Sequence, residues 1–340
     1  MTFLSLLLIS AVVIYAIWSL RQRREKSSAH QIDNAVVSST AVTIQTDANA
    51  GVSMRDEISS LGQFDQLLCE EYVKFTEMFP GKPIDFIQRR FSRLGIFPRL
   101  GWSLIEFGES AALSKNDPEL LIGTLYRFQK CAHACWGHAD ERGLHSSGYD
   151  FCTLVVPALY SSLLGKSYIN AAFPSTRKMS EASFPGYMHA ANIMVCIEHK
   201  QWPHAENSKD RARSFVAAKS PRKVDKAFVN YFLSILDGNA EAAARALVDF
   251  NKGYERSDWG KYKPGTRSTF IQSLVTYAGY YLDSSAIKHA LQDLLPDQQL
   301  KLWEKFHEVC DAFNERSQLF QAPLDFLNDM SFYVIPADDI

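Results

Sequence analysis

The 340-residue chain has almost no net charge, since 36 Lys and Arg face 38 Asp and Glu for a formal net of −2. That balance argues against a uniformly basic protein that coats nucleic acid, and against an acidic disordered chain. Cysteine is sparse as well. The six thiols, Cys69, Cys131, Cys135, Cys152, Cys196 and Cys310, are scattered through apolar helical contexts, without the density that staples a small secreted domain. Alternating strand-like runs joined by Gly-rich crossovers are missing, which counts against a doubly wound sheet. No segment recurs at a constant period, which sets aside a regular solenoid. What is abundant is apolar surface. At 46% of residues it suffices for a sizeable core in one large domain or two ordinary ones.

Charge is absent altogether from the first twenty residues. The run Phe3 to Leu20, FLSLLLISAVVIYAIWSL, has eighteen residues, and at 1.5 Å per residue it reaches about 27 Å, nearly the hydrocarbon thickness of a bilayer. Arg21, Arg23, Arg24 and Lys26 follow it directly. A cleaved signal would carry its positive charge in front and a small-residue cleavage site behind, so a retained transmembrane helix is expected. Because basic flanks stay in the cytosol, the N-terminus is placed outside and the bulk of the chain in the cytoplasm, single-pass in a bacterial inner membrane. Residues 1–26 are thus an anchor with a basic flank.

Residues 27–53 are rich in Ser, Thr, Ala, Asn and Gln and contain no aromatic side chain, the composition of a flexible polar linker. Helical periodicity starts beyond it, with Ile58, Leu61, Leu68, Tyr72, Phe75 and Phe79 at spacings of three, four and seven. Further helices are expected over about 84–94, 100–114, 118–140, 149–164 and 187–200. The clearest unit is 223–257, two apolar-faced helices broken by Asp237-Gly238-Asn239, where Gly stops one helix and Asn caps the next. Helices at 268–282 and 297–320 follow, the last with Trp303, Phe306, Cys310 and Phe313 on one face. The expected fold is all-α, a helical-hairpin array tetratricopeptide-like in style, filling 54–340 as one globular domain behind the transmembrane helix.

Chemistry-bearing motifs are few. Cys131, Cys135 and His138 fall at i, i+4 and i+7 on one helix face and are candidate zinc ligands, but a structural zinc takes four and only three align. A buried Cys/His stripe is the plainer reading, and no cofactor is expected. Leu164-Gly165-Lys166-Ser167 has the ending of a phosphate-binding loop, yet Tyr160 stands where its first glycine should be and a helix precedes it. His307-Glu308 opens like a zinc-protease helix, but Asp311 occupies the second histidine position. Gly143 to Gly148 has serines near His145 without the strand-borne nucleophile elbow. Lys209 to Lys226 holds seven bases and two acids. It reads as a solvated connector, with contact to an anionic partner as the alternative. Toward the end, Asp283 to Ile340 carries eleven acids and four bases. There Glu304, Glu308, Asp311 and Glu315 recur at helical spacing, a candidate negative stripe able to steer a basic partner.

The hairpin FLSILDGNAEAAARALVDF, the connector Lys252 to Thr266 and the helix STFIQSLVTYAGYYL together resemble the immunity protein 49 family over about Phe173 to Leu295. The shared pattern is a helix, a GN turn, an Ala-rich helix and a small-and-aromatic helix, and the anchor is an addition to the family's usual soluble form. The resemblance implies a non-enzymatic helical protein, encoded beside polymorphic or type VI secreted toxins, that occludes the active site of one cognate toxin. A cytosolic domain would suit a toxin acting on nucleic acid, whose basic cleft Glu304, Glu308, Asp311 and Glu315 would meet. Direct nucleic-acid contact is not expected; a homodimer is open. The alternatives are a membrane-tethered scaffold of an envelope complex and a metal-dependent hydrolase built on Cys131, Cys135 and His138.

Overall fold

A computed structural model of the chain describes residues 58–91, 96–141, 148–170, 185–283, 285–311 and 318–329. All of them belong to one unit, Met54–Ile340. The anchor read at 3–20, its basic flank and the linker at 27–53 lie outside the described residues. Among the described residues no helix is long and apolar enough to cross a membrane, and there is no strand. The unit is an all-helical array.

Its first described helix, α1 (Leu61–Glu77), starts on an N-cap serine with a further side-chain bond one residue before it. The Ser60 side chain accepts from Gln63 N at 3.1 Å, while Gln63 Oε1 reaches back to Ser59 N at 2.8 Å. Phe64, Leu68, Tyr72 and Phe75 form its buried face, as the sequence spacing requires. The short α2 (Ile84–Phe91) turns back over it, and α3 (Ile96–Lys115) and α4 (Pro118–Glu141) make the first long hairpin. Asp117 caps α4 through Leu120 N at 3.0 Å, with Pro118 at the first helical position.

After α5 (Gly148–Leu164) and α6 (Lys166–Asn170) comes α7 (Pro185–Glu198), whose residues from Gly186 to Ile197 are all buried. Such a helix has no solvent face, which is why its hydropathy shows so little periodicity. The next two helices, α8 (Ala205–Ala217) and α9 (Lys223–Leu236), pack on α7. Then α9 and α10 (Ala240–Lys252) form the hairpin read from the sequence. Gly238 makes the turn at φ 72°, a backbone open to glycine at no steric cost, and Asn239 caps α10 by accepting from Ala242 N at 2.9 Å. Phe228 and Phe250 meet across the hairpin at 5.0 Å between ring centres.

A short helix α11 (Asp258–Tyr262) leads to α12 (Arg267–Gly279), the second helix buried nearly all round. It is followed by α13 (Ser285–Leu294), packed on α10, and α14 (Asp297–Asp311), packed on α4. The large core runs through α3 to α14. A smaller one joins α1 and α2 to Leu100, Leu104, Cys131 and the C-terminal residues Phe320, Leu324, Phe326 and Leu327.

Four helices went unread in the sequence, the five-residue α6 and α11 and the longer α8 and α13. In α8 only Ser208 and Ala212 are buried, so the segment offers no apolar stripe; of the connector read at 209–226, residues 209–217 belong to α8 and 223–226 to α9. The other longer one, α13, rests on Ile287, Leu291 and Leu294. The last long helix ends at Asp311 in the described residues, and 312–317, with Phe313, lie outside them.

Candidate functional site

Of the residues singled out for chemistry, most are occupied inside the fold. Cys131 is 2% exposed and sits in the smaller core, where burial pushes its thiol far above the ordinary range. A metal ligand must be a thiolate, and this site disfavours one. The side chains of Cys135 and His138 lie outside the described residues; within the described ones no group of three or more His, Cys, Asp or Glu could hold a metal ion. Cys69, Cys131, Cys196 and Cys310 are thiols rather than disulfides.

Gly165 separates α5 from α6 at φ 140°, so the sequence Leu164 to Ser167 is a helix junction with no strand before it. Lys166 Nζ is 4.4 Å from the centre of the Tyr281 ring. His307 Nε2 lies 2.8 Å from Gln272 Nε2 of α12. Residues 142–147 are outside the described set, and with them most of the Gly143 to Gly148 loop.

The proposed negative stripe is partly visible. Glu304 and Glu308 are exposed on α14, opposite the buried Leu302, Trp303 and Phe306, with Trp303 Nε1 donating to Ser268 Oγ at 2.8 Å. Lys301 and Lys305 are exposed on the same side, at positions three before Glu304 and Glu308. The described part of this face is therefore of mixed sign, a point hidden when the acids are read alone. The Asp311 side chain and all of Glu315 lie outside the described residues, as do Arg21, Arg23, Arg24 and Lys26.

A concave surface appears elsewhere, along the exposed side of α9 and α10. It encloses about 960 Å³ and is bordered by Arg222, Lys223, Lys226, Arg245, Lys252 and Arg256, against the single acid Asp249. Its floor is small and apolar, made by Val216, Val224, Ala227, Ala242 and Ala246. Arg222 is committed internally. It grips Asp225 through two bonds of 2.6 and 2.8 Å and reaches Asp258 at 2.6 Å. By contrast Arg245 to Glu241 and Lys252 to Asp249 are loose pairs of 3.5 and 3.4 Å between side chains at least 67% exposed, and pairs of that kind contribute only up to about 1 kcal/mol.

The sequence reading collected Lys209 to Lys226 but not Arg245, Lys252 or Arg256. The missing half becomes visible once the GN turn folds α10 antiparallel to α9, which sets residues some twenty positions apart side by side.

Deep in the larger core, Glu109 is 1% exposed at the N-terminus of α12. It accepts from Ser268 N at 3.1 Å, from Thr269 N at 3.3 Å and from the Thr269 hydroxyl. Burial pushes its carboxyl up to about 8, opposed by those donors. Its partners are backbone groups of α12 and a hydroxyl that satisfy it, so its role is to hold a helix end.

Compared with protein-family models, with curated proteins and with solved structures, the chain matches none.

Proposed function

We propose that the chain is a membrane-anchored immunity protein, a non-enzymatic helical binder that neutralises one cognate secreted antibacterial toxin by covering its active site. The observation that supports it is the placement of the quoted pattern. The helix, GN turn, Ala-rich helix and small-and-aromatic helix fall on α9, α10 and α12, one contiguous packed body. Its surroundings suit binding better than catalysis, because Cys131, Glu109 and His307 are engaged in packing or internal hydrogen bonds. The toxin in this reading acts in the cytosol, as a nuclease delivered by type VI secretion in bacterial competition, and the Phe3 to Leu20 helix holds the inhibitor at the inner membrane.

Expression of the open reading frame beside this gene, alone and together with this chain, tests the reading. Toxicity relieved by co-expression, with a complex that co-purifies, is the expected result. No toxicity, or toxicity without rescue, would remove the proposal, and co-purification of several envelope proteins instead would favour the tethered scaffold.

Within this reading the toxin meets α14. Reversing Glu304, Glu308, Asp311 and Glu315 to Lys is expected to weaken toxin binding about ten-fold or more at low salt, chiefly through a slower on-rate measured by surface plasmon resonance. Unchanged affinity would rule this face out. Removal of Met1 to Lys26 should leave binding in solution intact while reducing protection in cells, scored as survival in a competition assay.

A further inference from the structure

We propose that the trough between α9 and α10 is a docking site for an acidic amphipathic helix of a partner protein. The inference stands on the geometry of the hairpin and does not require the toxin reading. Lys223, Lys226, Ala227 and Asn230 contribute from α9, at spacings of three and four. From α10 come Ala242, Arg245, Ala246, Asp249 and Lys252 at the same spacings. Apart from Ala246, which is buried beneath them, each set is the solvent-side strip of one helix, and together they make the kind of groove into which a third helix packs.

Three features choose the occupant. The first is length: Ala242 to Lys252 covers about 15 Å of α10, three turns of a partner helix lying along it. The second is the floor. Alanines at 227 and 242, both half-buried, leave space for a backbone to come close, and their apolar surface gains from burial against apolar side chains, whereas a phosphate or a nucleic-acid backbone would gain nothing there. The third is the rim. Lys223, Arg245, Lys252 and Arg256 are exposed and stand on both sides of the floor. The weak pairs that Arg245 and Lys252 now make with Glu241 and Asp249 can be exchanged at little cost. A helix with an apolar face inward and Glu or Asp along its flanks satisfies floor and rim at once, in the helix-in-groove manner. Arg222 takes no part; its bonds to Asp225 and Asp258 fix the wall behind it.

The test uses the full chain in neutral nanodiscs and four labelled probes read by fluorescence anisotropy. They are a peptide with Glu on the flanks and Leu and Ala on one helical face, a scrambled peptide of identical composition, a single-stranded oligonucleotide, and inorganic polyphosphate. The patterned peptide is expected to bind at least about ten-fold more tightly than each of the others and to gain helicity on binding. Lys223→Glu with Lys252→Glu should lower its affinity at least about ten-fold, and so should Arg245→Glu with Arg256→Glu, an independent pair that guards against misfolding of the first. Circular dichroism of both variants should match the parent. Equal binding of the scrambled peptide, tighter binding of either polyanion, or affinity unmoved by both reversals would each overturn the proposal.

Discussion

Replacement of Asp65 by Ala is expected to destabilise the protein by about 3 kcal/mol, read as a lowered midpoint in urea unfolding of the full chain in detergent. The Asp65 carboxylate takes two parallel bonds from Arg127, from Nε and Nη2, both at 2.7 Å. The Arg127 side chain is only 10% exposed. Its remaining contacts are weaker: Gln318 Oε1 at 3.3 Å, Gly123 O at 3.5 Å and the Phe320 ring 5.6 Å away. Loss of the carboxylate strands a guanidinium that is almost out of water, which costs about 3–5 kcal/mol for a buried pair. The lower end applies here because Asp65 itself is 31% exposed. Substitution of both partners, Asp65→Leu with Arg127→Met, should recover most of the loss, since an apolar pair of similar volume leaves no charge to solvate. A loss below about 1 kcal/mol in Asp65→Ala would show that Gln318 and solvent can hold Arg127 alone.

A comparable loss is expected at Glu109, with a pH signature of its own. Glu109→Ala removes the acceptor for two amide groups of α12 and the Thr269 hydroxyl and leaves a void, at a cost of about 3 kcal/mol. The folded carboxyl titrates near 8 against an ordinary value of 4.5. A raised acid binds its proton more tightly in the folded state, so the stability it lends is complete below about pH 4.5. It declines as pH rises and is gone above about 8, at up to about 1.4 kcal/mol per pH unit between.

His189 acts in the opposite sense over a lower range. Burial first, and Arg211 second, depress it to about 4 from 6.5, so its share is present above about 6.5 and is lost as pH falls toward 4. The interval from pH 6.5 to 8 therefore separates Glu109 from His189. The melting temperature should fall across it in the parent, while Glu109→Gln, which keeps the acceptor oxygen but cannot ionise, should stay level. Parallel profiles for the two proteins would assign the slope to another group.

The periodic helices could be read from the sequence because a single buried stripe repeats in each, as Phe64, Leu68, Tyr72 and Phe75 do in α1. The GN turn was legible for a local reason too, since Gly238 and Asn239 do their work within a few residues. What escaped depends on contacts far apart in the chain. Glu109 lies in the middle of a helix as a surface acid would, and its partners are 159 and 160 residues away. Helix α8 has too few buried positions to announce itself. Half of the basic trough was legible in Lys223 and Lys226, and the other half needed the hairpin to close. On α14 the acids were found, but their lysine neighbours alter the character of the face.

The smaller core has a bearing on synthesis. Phe326 packs against Tyr72 at 5.3 Å and Phe91 at 6.5 Å, Asn328 ties back to Phe320 through two bonds of 2.9 Å, and Lys130 Nζ donates to Asn328 O at 3.1 Å. Helix α1 thus waits until the chain has been made through Phe326 before its aromatic side is covered. A nascent or prematurely ended chain carries that side bare, an invitation to chaperones and proteases. Synthesis through Phe326 becomes a condition for escaping them, and the segment around Phe320 to Asn328 serves as a seal that a shorter chain lacks.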